Sequence, residues 1–141
     1  SLGKKGKGIL PVVSTVPRDH HSLLQLYLDG PKDKLFYIFS LNLNKTMKIK
    51  GNMFGKSFDF VKNKELSNVI LSQKKALTKI LKNKNIPFRE FKINKINEET
   101  LGELFSYFIL ETALVGKLIN IDPFNQPAVE EVKNLTKQYL S

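Results

Sequence analysis

The sequence contains no cysteine and no tryptophan. Without cysteine there is no disulfide framework and no thiolate metal site, and a reducing compartment is the natural setting. Arginine is almost absent: Arg18 and Arg89 stand alone in a 141-residue chain with a formal net charge of +10. Charge of that size raises nucleic acid or an acidic surface as a partner. Scattered lysines and scarce arginine argue against it, because bidentate recognition of bases and phosphates favours the guanidinium. No nucleic-acid partner is expected, and the basic surface is read as a means of concentrating a small anionic substrate. The two histidines are adjacent, His20 and His21, and no metal site is expected of them. No stretch approaches a membrane span; the most apolar, 104–119, is interrupted by Glu111 and Lys117. The Gly/Lys-rich start lacks the apolar region and cleavage site of a signal peptide, so a cytoplasmic location without membrane contact is expected. The chain does not begin with methionine, which is read as the mark of a piece of a longer protein.

What is present alternates between helix and strand patterns. Residues 1–8 read as loop. Residues 8–16 form an apolar run expected as a strand, although Pro11 cannot donate to a ladder. Pro17-Arg18-Asp19 is a turn, with Asp19 as N-cap of a short helix over 20–28 that Asp29-Gly30-Pro31 ends. The continuous apolar and aromatic run 34–41 suits a strand buried on both faces of a parallel sheet. Residues 42–64 are irregular and are expected to leave the core, with a hairpin of 45–50 and 53–61 around Gly51-Asn52. Residues 66–84 have apolar positions at helical spacing, with Lys74, Lys75, Lys79 and Lys82 as a solvated face. Asn85-Ile86-Pro87 stops that helix and 88–93 is a short strand. Asn97 caps a long helix whose first turn carries Glu98 and Glu99. Its second half is apolar nearly all round and is expected to be buried against other elements or subunits. The alternation predicts an α/β domain with a mostly parallel sheet. There is no internal repeat and no phosphate-cradling glycine motif.

Two stretches carry candidate chemistry. In the last, Asp122-Pro123-Phe124-Asn125-Gln126-Pro127-Ala128-Val129-Glu130-Glu131-Val132-Lys133, a loop passes into a helix. Pro127 suits the first helical position and Asn125 or Gln126 can cap it. Gln126 and Lys133 share a helix face about 10 Å apart, with Glu130 between them. An amide and an ammonium can thus line one wall of a cleft. The same pattern also describes a plain amphipathic helix with a surface Glu130–Lys133 pair. In the other stretch, 14–27, both histidines sit where strand is expected to pass into helix, where ligands bind in open parallel sheets. The positive end of a helix dipole disfavours imidazolium, so a histidine there can exchange protons near neutral pH. A surface histidine in a capping region serves the pattern equally well.

The C-terminal stretch resembles the signature N-P-F-D-Q-P-G-V-E-x-x-K of the glucose-6-phosphate isomerase family, departing from it at Asn125 and Ala128. The resemblance implies that Gln126 contacts the sugar phosphate and that Lys133 lies near the ring oxygen and the C1–C2 end. Asp19, His21, Ser22, Gln25, Leu26 and Tyr27 resemble the family's A-T-D-Q-H-S-x-x-Q-L-Y. The functional histidine then falls on His21, not His20. In the family it reaches the neighbouring subunit of a homodimer and assists ring opening with the lysine. Ser1-Leu2-Gly3-Lys4 is similar to the family's E-S-x-G-K, whose glutamate is the general base; that base, the phosphate-binding Ser/Thr loop and a catalytic arginine all precede Ser1 in this register.

The implied fold is the C-terminal portion of the second of two three-layer α/β/α sugar-isomerase (SIS) domains. It would be incomplete here, with about three strands, an excursion at 42–64 and a helical segment at 121–141. The implied reaction interconverts glucose 6-phosphate and fructose 6-phosphate through a cis-enediol, in glycolysis and gluconeogenesis, with no metal or organic cofactor. Residues 1–141 alone are expected to be inactive and to self-associate through apolar surface. The competing reading is a non-catalytic SIS module that binds a sugar phosphate and regulates a partner; a basic nucleic-acid-binding domain ranks last.

Overall fold

The computed structural model describes residues 2–43, 46–50 and 55–141. The chain divides into two compact units, residues 13–95 and residues 1–12 with 96–141.

In the first unit, α1 (His20–Asp29) precedes β1 (Phe36–Leu41), and α2 (Leu66–Asn83) leads to β2 (Phe88–Ile93). The strands pair in parallel, Phe36 opposite Phe88 through Leu41 opposite Ile93. The two runs of apolar residues anticipate these strands, and parallel neighbours need a crossover such as α2 to join them. Side chains alternate between the two faces. On one face Phe39 stacks on Phe91 with centroids 4.9 Å apart, Tyr37 meets Phe91 edge-on, and the Arg89 guanidinium lies 5.6 Å from the centre of the Tyr37 ring. On the other face Tyr27 of α1 meets Phe36 edge-on at 5.5 Å, and the Lys74 ammonium of α2 reaches both Ser40 and Glu90. Lys74 therefore leaves the solvated lysine face expected for α2 and becomes an ion-pair partner, while Lys75, Lys79 and Lys82 are exposed. Lys74 holds the Glu90 carboxyl below the usual glutamate range. The pair's stabilisation is thus present above that range and is lost as pH falls through the lower folded value.

Residues 8–16 form no strand: Leu10 and Val13 are 85% and 91% exposed, and among the described residues no strand pairs with the run. An apolar run becomes a strand only where another edge accepts its ladder. The sheet of the described residues accordingly has two strands rather than three. Each then has an open edge, and β1 is half-buried with Phe39 48% exposed, not buried on both faces. Of the expected hairpin, residues 45 and 51–54 lie outside the described residues. Lys56–Val61 is a 3-10 helix rather than a strand, closed by local bonds such as Phe58 N–H to Gly55 O and Lys62 N–H to Asp59 O. The excursion then returns to α2: Lys48 bridges Glu65, and the Thr46 hydroxyl oxygen accepts from the Ser67 N–H at 2.8 Å.

The second unit holds α3 (Glu98–Leu118) and α4 (Pro127–Leu140). Asn97 caps α3 as expected, its Oδ1 accepting from the Thr100 N–H at 3.0 Å. The apolar second half of α3 is not buried within this chain: Ile109, Leu110 and Leu114 are each more than 60% exposed. Among the described residues no helix is long and apolar enough to cross a membrane.

Helices α2 and α3 end alike. Asn85 and Asn120 take the left-handed conformation, with φ of 54° and 56°. The N–H groups that follow reach back to free carbonyls near the helix end: Ile86 to Leu81 O at 2.9 Å and Ile121 to Gly116 O at 2.8 Å, beside Asn85 to Lys82 O and Asn120 to Lys117 O. This is the Schellman arrangement, and a proline follows each isoleucine within two residues. Much of what is buried lies at these two helix stops: Leu81 and Ile86 in one unit, Gly116 and Ile121 in the other. A Cβ on Gly116 would lie 2.9 Å from Ile121 O and 3.1 Å from the Pro123 ring. Gly116→Ala is expected to cost about 1–3 kcal/mol through overpacking. At Gly102 a Cβ meets nothing within 4 Å. There the same exchange is expected to stabilise α3 by about 1 kcal/mol, the helix-propensity difference. Urea denaturation of both variants checks the opposite signs.

Candidate functional site

The α3–α4 connection places the first candidate residues. The Asp122 side chain accepts from the Phe124 N–H at 2.9 Å, turning the chain toward α4. Pro127 opens α4 at its first position, where its missing N–H costs nothing. Gln126 stands at the cap position, but its side chain makes no capping bond, and its amide has no hydrogen-bond partner among the described residues. Opposite lies a tight turn at Lys4–Lys7. Lys5 and Gly6 both have positive φ, 54° and 68°, and Lys4 and Lys7 exchange both backbone bonds. That is the geometry of a two-residue primed turn. Between the turn and the start of α4 runs a cleft of about 800 Å³, whose lining includes Lys4, Lys7, Asn125 and Gln126.

Lys133 lies further along α4 and does not line this cleft. Its ammonium is 2.6 Å from the Glu130 carboxylate, and both side chains are about 60% exposed. The expected surface pair is therefore present, and Gln126 and Lys133 lie on one helix in separate surroundings.

The other stretch lies in the unit of residues 13–95. Asp19 occupies the cap position of α1 but does not cap it: its backbone is helical and its side chain turns away. One carboxylate oxygen accepts from the Thr15 N–H at 2.6 Å and the other from the Arg18 guanidinium at 2.9 Å. The Arg18 hydrogen bond, then the Thr15 one, hold the Asp19 carboxyl below its usual range. The nearby N–H of Thr15 and the adjacent guanidinium outcompete the helix N–H groups. Further down, Tyr27 Oη and Ser14 Oγ are 2.8 Å apart. At the end of α1, Asp29 receives Gln25 at 3.0 Å and pairs with Lys84 from the end of α2, which holds its carboxyl low. The helix is thus tied at both ends. From it His21 projects exposed, with no hydrogen-bond partner among the described residues, whereas His20 is half-buried with Nε2 unpartnered. Among the described residues no group of three or more histidine, aspartate or glutamate side chains is placed to hold a metal ion.

Sequence reasoning read residues 1–8 as loop, placed Lys4 only as the last residue of the family-like Ser1–Lys4 segment, and missed Lys7 and the contacts of both. The Lys4 ammonium donates to the carbonyl of Asp122, and that of Lys7 to the carbonyl of Ile119 at 3.3 Å. The local signal for the turn itself was Lys5-Gly6, a pair suited to a primed turn.

No family profile matches the chain. Individual proteins do. Glucose-6-phosphate isomerase of Methanocaldococcus jannaschii is 36% identical over 139 residues, 96% of this chain and 33% of that protein. The protein of that name from Leptospira biflexa is 32% identical over 95% of this chain and 30% of its own length. In Mycoplasmopsis synoviae the identity is 32%, covering 94% of this chain and 32% of the relative. The chain thus spans about a third of the length of the relatives it matches. In fold it is similar to the crystal structure of a hypothetical protein from Thermus thermophilus, with a TM-score of 0.77 and 24% identity over 89% of this chain and 31% of the other. Along nearly all of its length, the chain is therefore related to a segment making up about a third of glucose-6-phosphate isomerases.

Proposed function

We propose that the chain is the C-terminal portion of the second SIS domain of a glucose-6-phosphate isomerase, and that it serves the interconversion of glucose 6-phosphate and fructose 6-phosphate. The observation that carries this reading is the 36% identity to an isomerase of that name across 96% of the chain. The residues follow the family pattern. Lys133 and His21 open the sugar ring, exchanging the proton between the ring oxygen and the anomeric hydroxyl. Gln126 holds the substrate with its uncommitted amide. A carboxylate from outside these residues then moves the proton between C2 and C1 through the cis-enediol. Such chemistry needs a base and groups that stabilise the developing enediolate oxygen, and no metal or organic cofactor. The working form is a cytoplasmic homodimer in which His21 reaches the neighbouring subunit's site. Its exposure and lack of a partner support that role. Self-association also gives the exposed apolar half of α3 a place to be covered.

The test is a coupled assay of fructose 6-phosphate isomerisation by the full-length protein. Turnover is the expected result. Binding of fructose 6-phosphate without turnover would replace the enzyme with a regulatory sugar-phosphate module.

A further inference from the structure

We propose that Lys4 and Lys7 are positioning residues that set where Gln126 stands in its cleft. The inference rests on the reading of Gln126 as a substrate contact and adds what holds that contact in place.

The two ammonium groups are not arranged as free cations awaiting an anion. Each is spent on a backbone carbonyl of the α3–α4 connection, Lys4 on Asp122 and Lys7 on Ile119. The turn explains how both reach it. Lys4 and Lys7 form a directly opposed, hydrogen-bonded pair across Lys5-Gly6, so their side chains leave the same side of the ribbon. Ile119 is the C-cap of α3, and an ammonium there also meets the negative end of the helix dipole. The connection is held from below as well, by the close approach of Ile121 and Pro123 to Gly116. Asp122 in turn fixes Phe124 through its side chain. With Ile119, Asp122 and Phe124 held, Asn125 alone separates the fixed part from Gln126. A carbonyl clamp of this kind costs the lysine its role as a general cation and gives the amide of Gln126 a defined place. A displacement of about 1 Å in such a contact is enough to weaken it markedly.

The experiment uses the full-length protein. Lys4→Met keeps the aliphatic stem and removes the donor. It is expected to raise KM for fructose 6-phosphate about tenfold with kcat changed less than about twofold, as for loss of a contact made equally in ground and transition states. Lys4→Arg restores a donor and is expected to bring KM back. Lys75→Met, which removes the same charge from the exposed side of α2, leaves KM unchanged. Gln126→Ala in the Lys4→Met background is expected to add little, because the two act through one contact. Fully additive effects, or an unchanged KM in the Lys4→Met, Lys7→Met double variant, overturn the proposal. A second readout needs no turnover: the side-chain amide resonances of Gln126 shift in Lys4→Met if the clamp sets its place, and unmoved resonances overturn the inference. Absence of turnover in the unaltered protein would count against the isomerase reading alone.

Discussion

Lys133→Ala in the full-length protein is expected to lower kcat for fructose 6-phosphate by about 10²–10⁴-fold, the range for removing a positioned proton-transfer group. The structural cost of this change is small. Lys133 and Glu130 form an exposed pair three positions apart on α4. Pairs of that kind contribute about 0.3–0.5 kcal/mol, and salt screens them further. The thermal midpoint should therefore barely move, and a fall in kcat then reports on chemistry. Glu130→Gln releases the ammonium from its carboxylate partner without removing it, and activity should survive. A substrate that cannot close into a ring separates ring opening from the later proton transfer: the Lys133→Ala loss should shrink for it. An equal loss with open and cyclic substrates would move Lys133 from ring opening to the enediol step. Unchanged kcat would remove it from the mechanism. Turnover by residues 1–141 alone, abolished in Lys133→Ala, would make Glu130 the base.

The parts of this molecule that could be read from its sequence are those fixed by neighbours a few residues away. Pro127 opens α4 because the first helical position has no use for its missing N–H. Asn97 caps α3 through a bond to Thr100, three residues on. Glu130 and Lys133 meet because helical geometry brings such positions together. The misreadings are choices decided at a distance or between close competitors. Residues 8–16 have the composition of a strand, yet pairing depends on an edge that no local pattern supplies. Asp19 has the residue type of a cap, but Thr15 and Arg18 claim its carboxylate first. Lys74 belongs by spacing to a solvated face and is drawn out of it by Glu90 and Ser40 on the sheet. Lys4 and Lys7 act on carbonyls more than a hundred positions away, beyond the reach of any periodicity. In the candidate site, the loop and helix around Gln126 were legible, while the cleft's opposite wall was not.

Leu81→Ala is expected to cost about 2–5 kcal/mol, the range for truncating a buried leucine. Leu81 is 0% exposed, and it is the one side chain among the described residues that is large and fully enclosed. It is also the residue whose carbonyl receives the Ile86 N–H where α2 ends and β2 is about to begin. Truncation there opens a cavity at the helix stop, where Leu81 and Ile86 are both buried. With so few enclosed side chains, little neighbouring apolar material is on hand to collapse into the space. A shape-tolerant exchange, Leu81→Met, should cost less than about 1.5 kcal/mol, because volume is kept. At Asn85 the backbone conformation is the issue rather than packing. Asn85→Ala places an ordinary side chain at φ 54° and should cost about 1–2 kcal/mol, whereas Asn85→Gly should be tolerated. Urea denaturation followed by helical circular dichroism ranks the four variants. Hydrogen exchange of the β1 and β2 amides should accelerate most in Leu81→Ala, since β2 starts from the helix stop it weakens. A cost under about 1 kcal/mol for Leu81→Ala would mean that the site collapses around the truncated side chain, and that the ending of α2 is held by its backbone bonds and Asn85 rather than by the burial of Leu81.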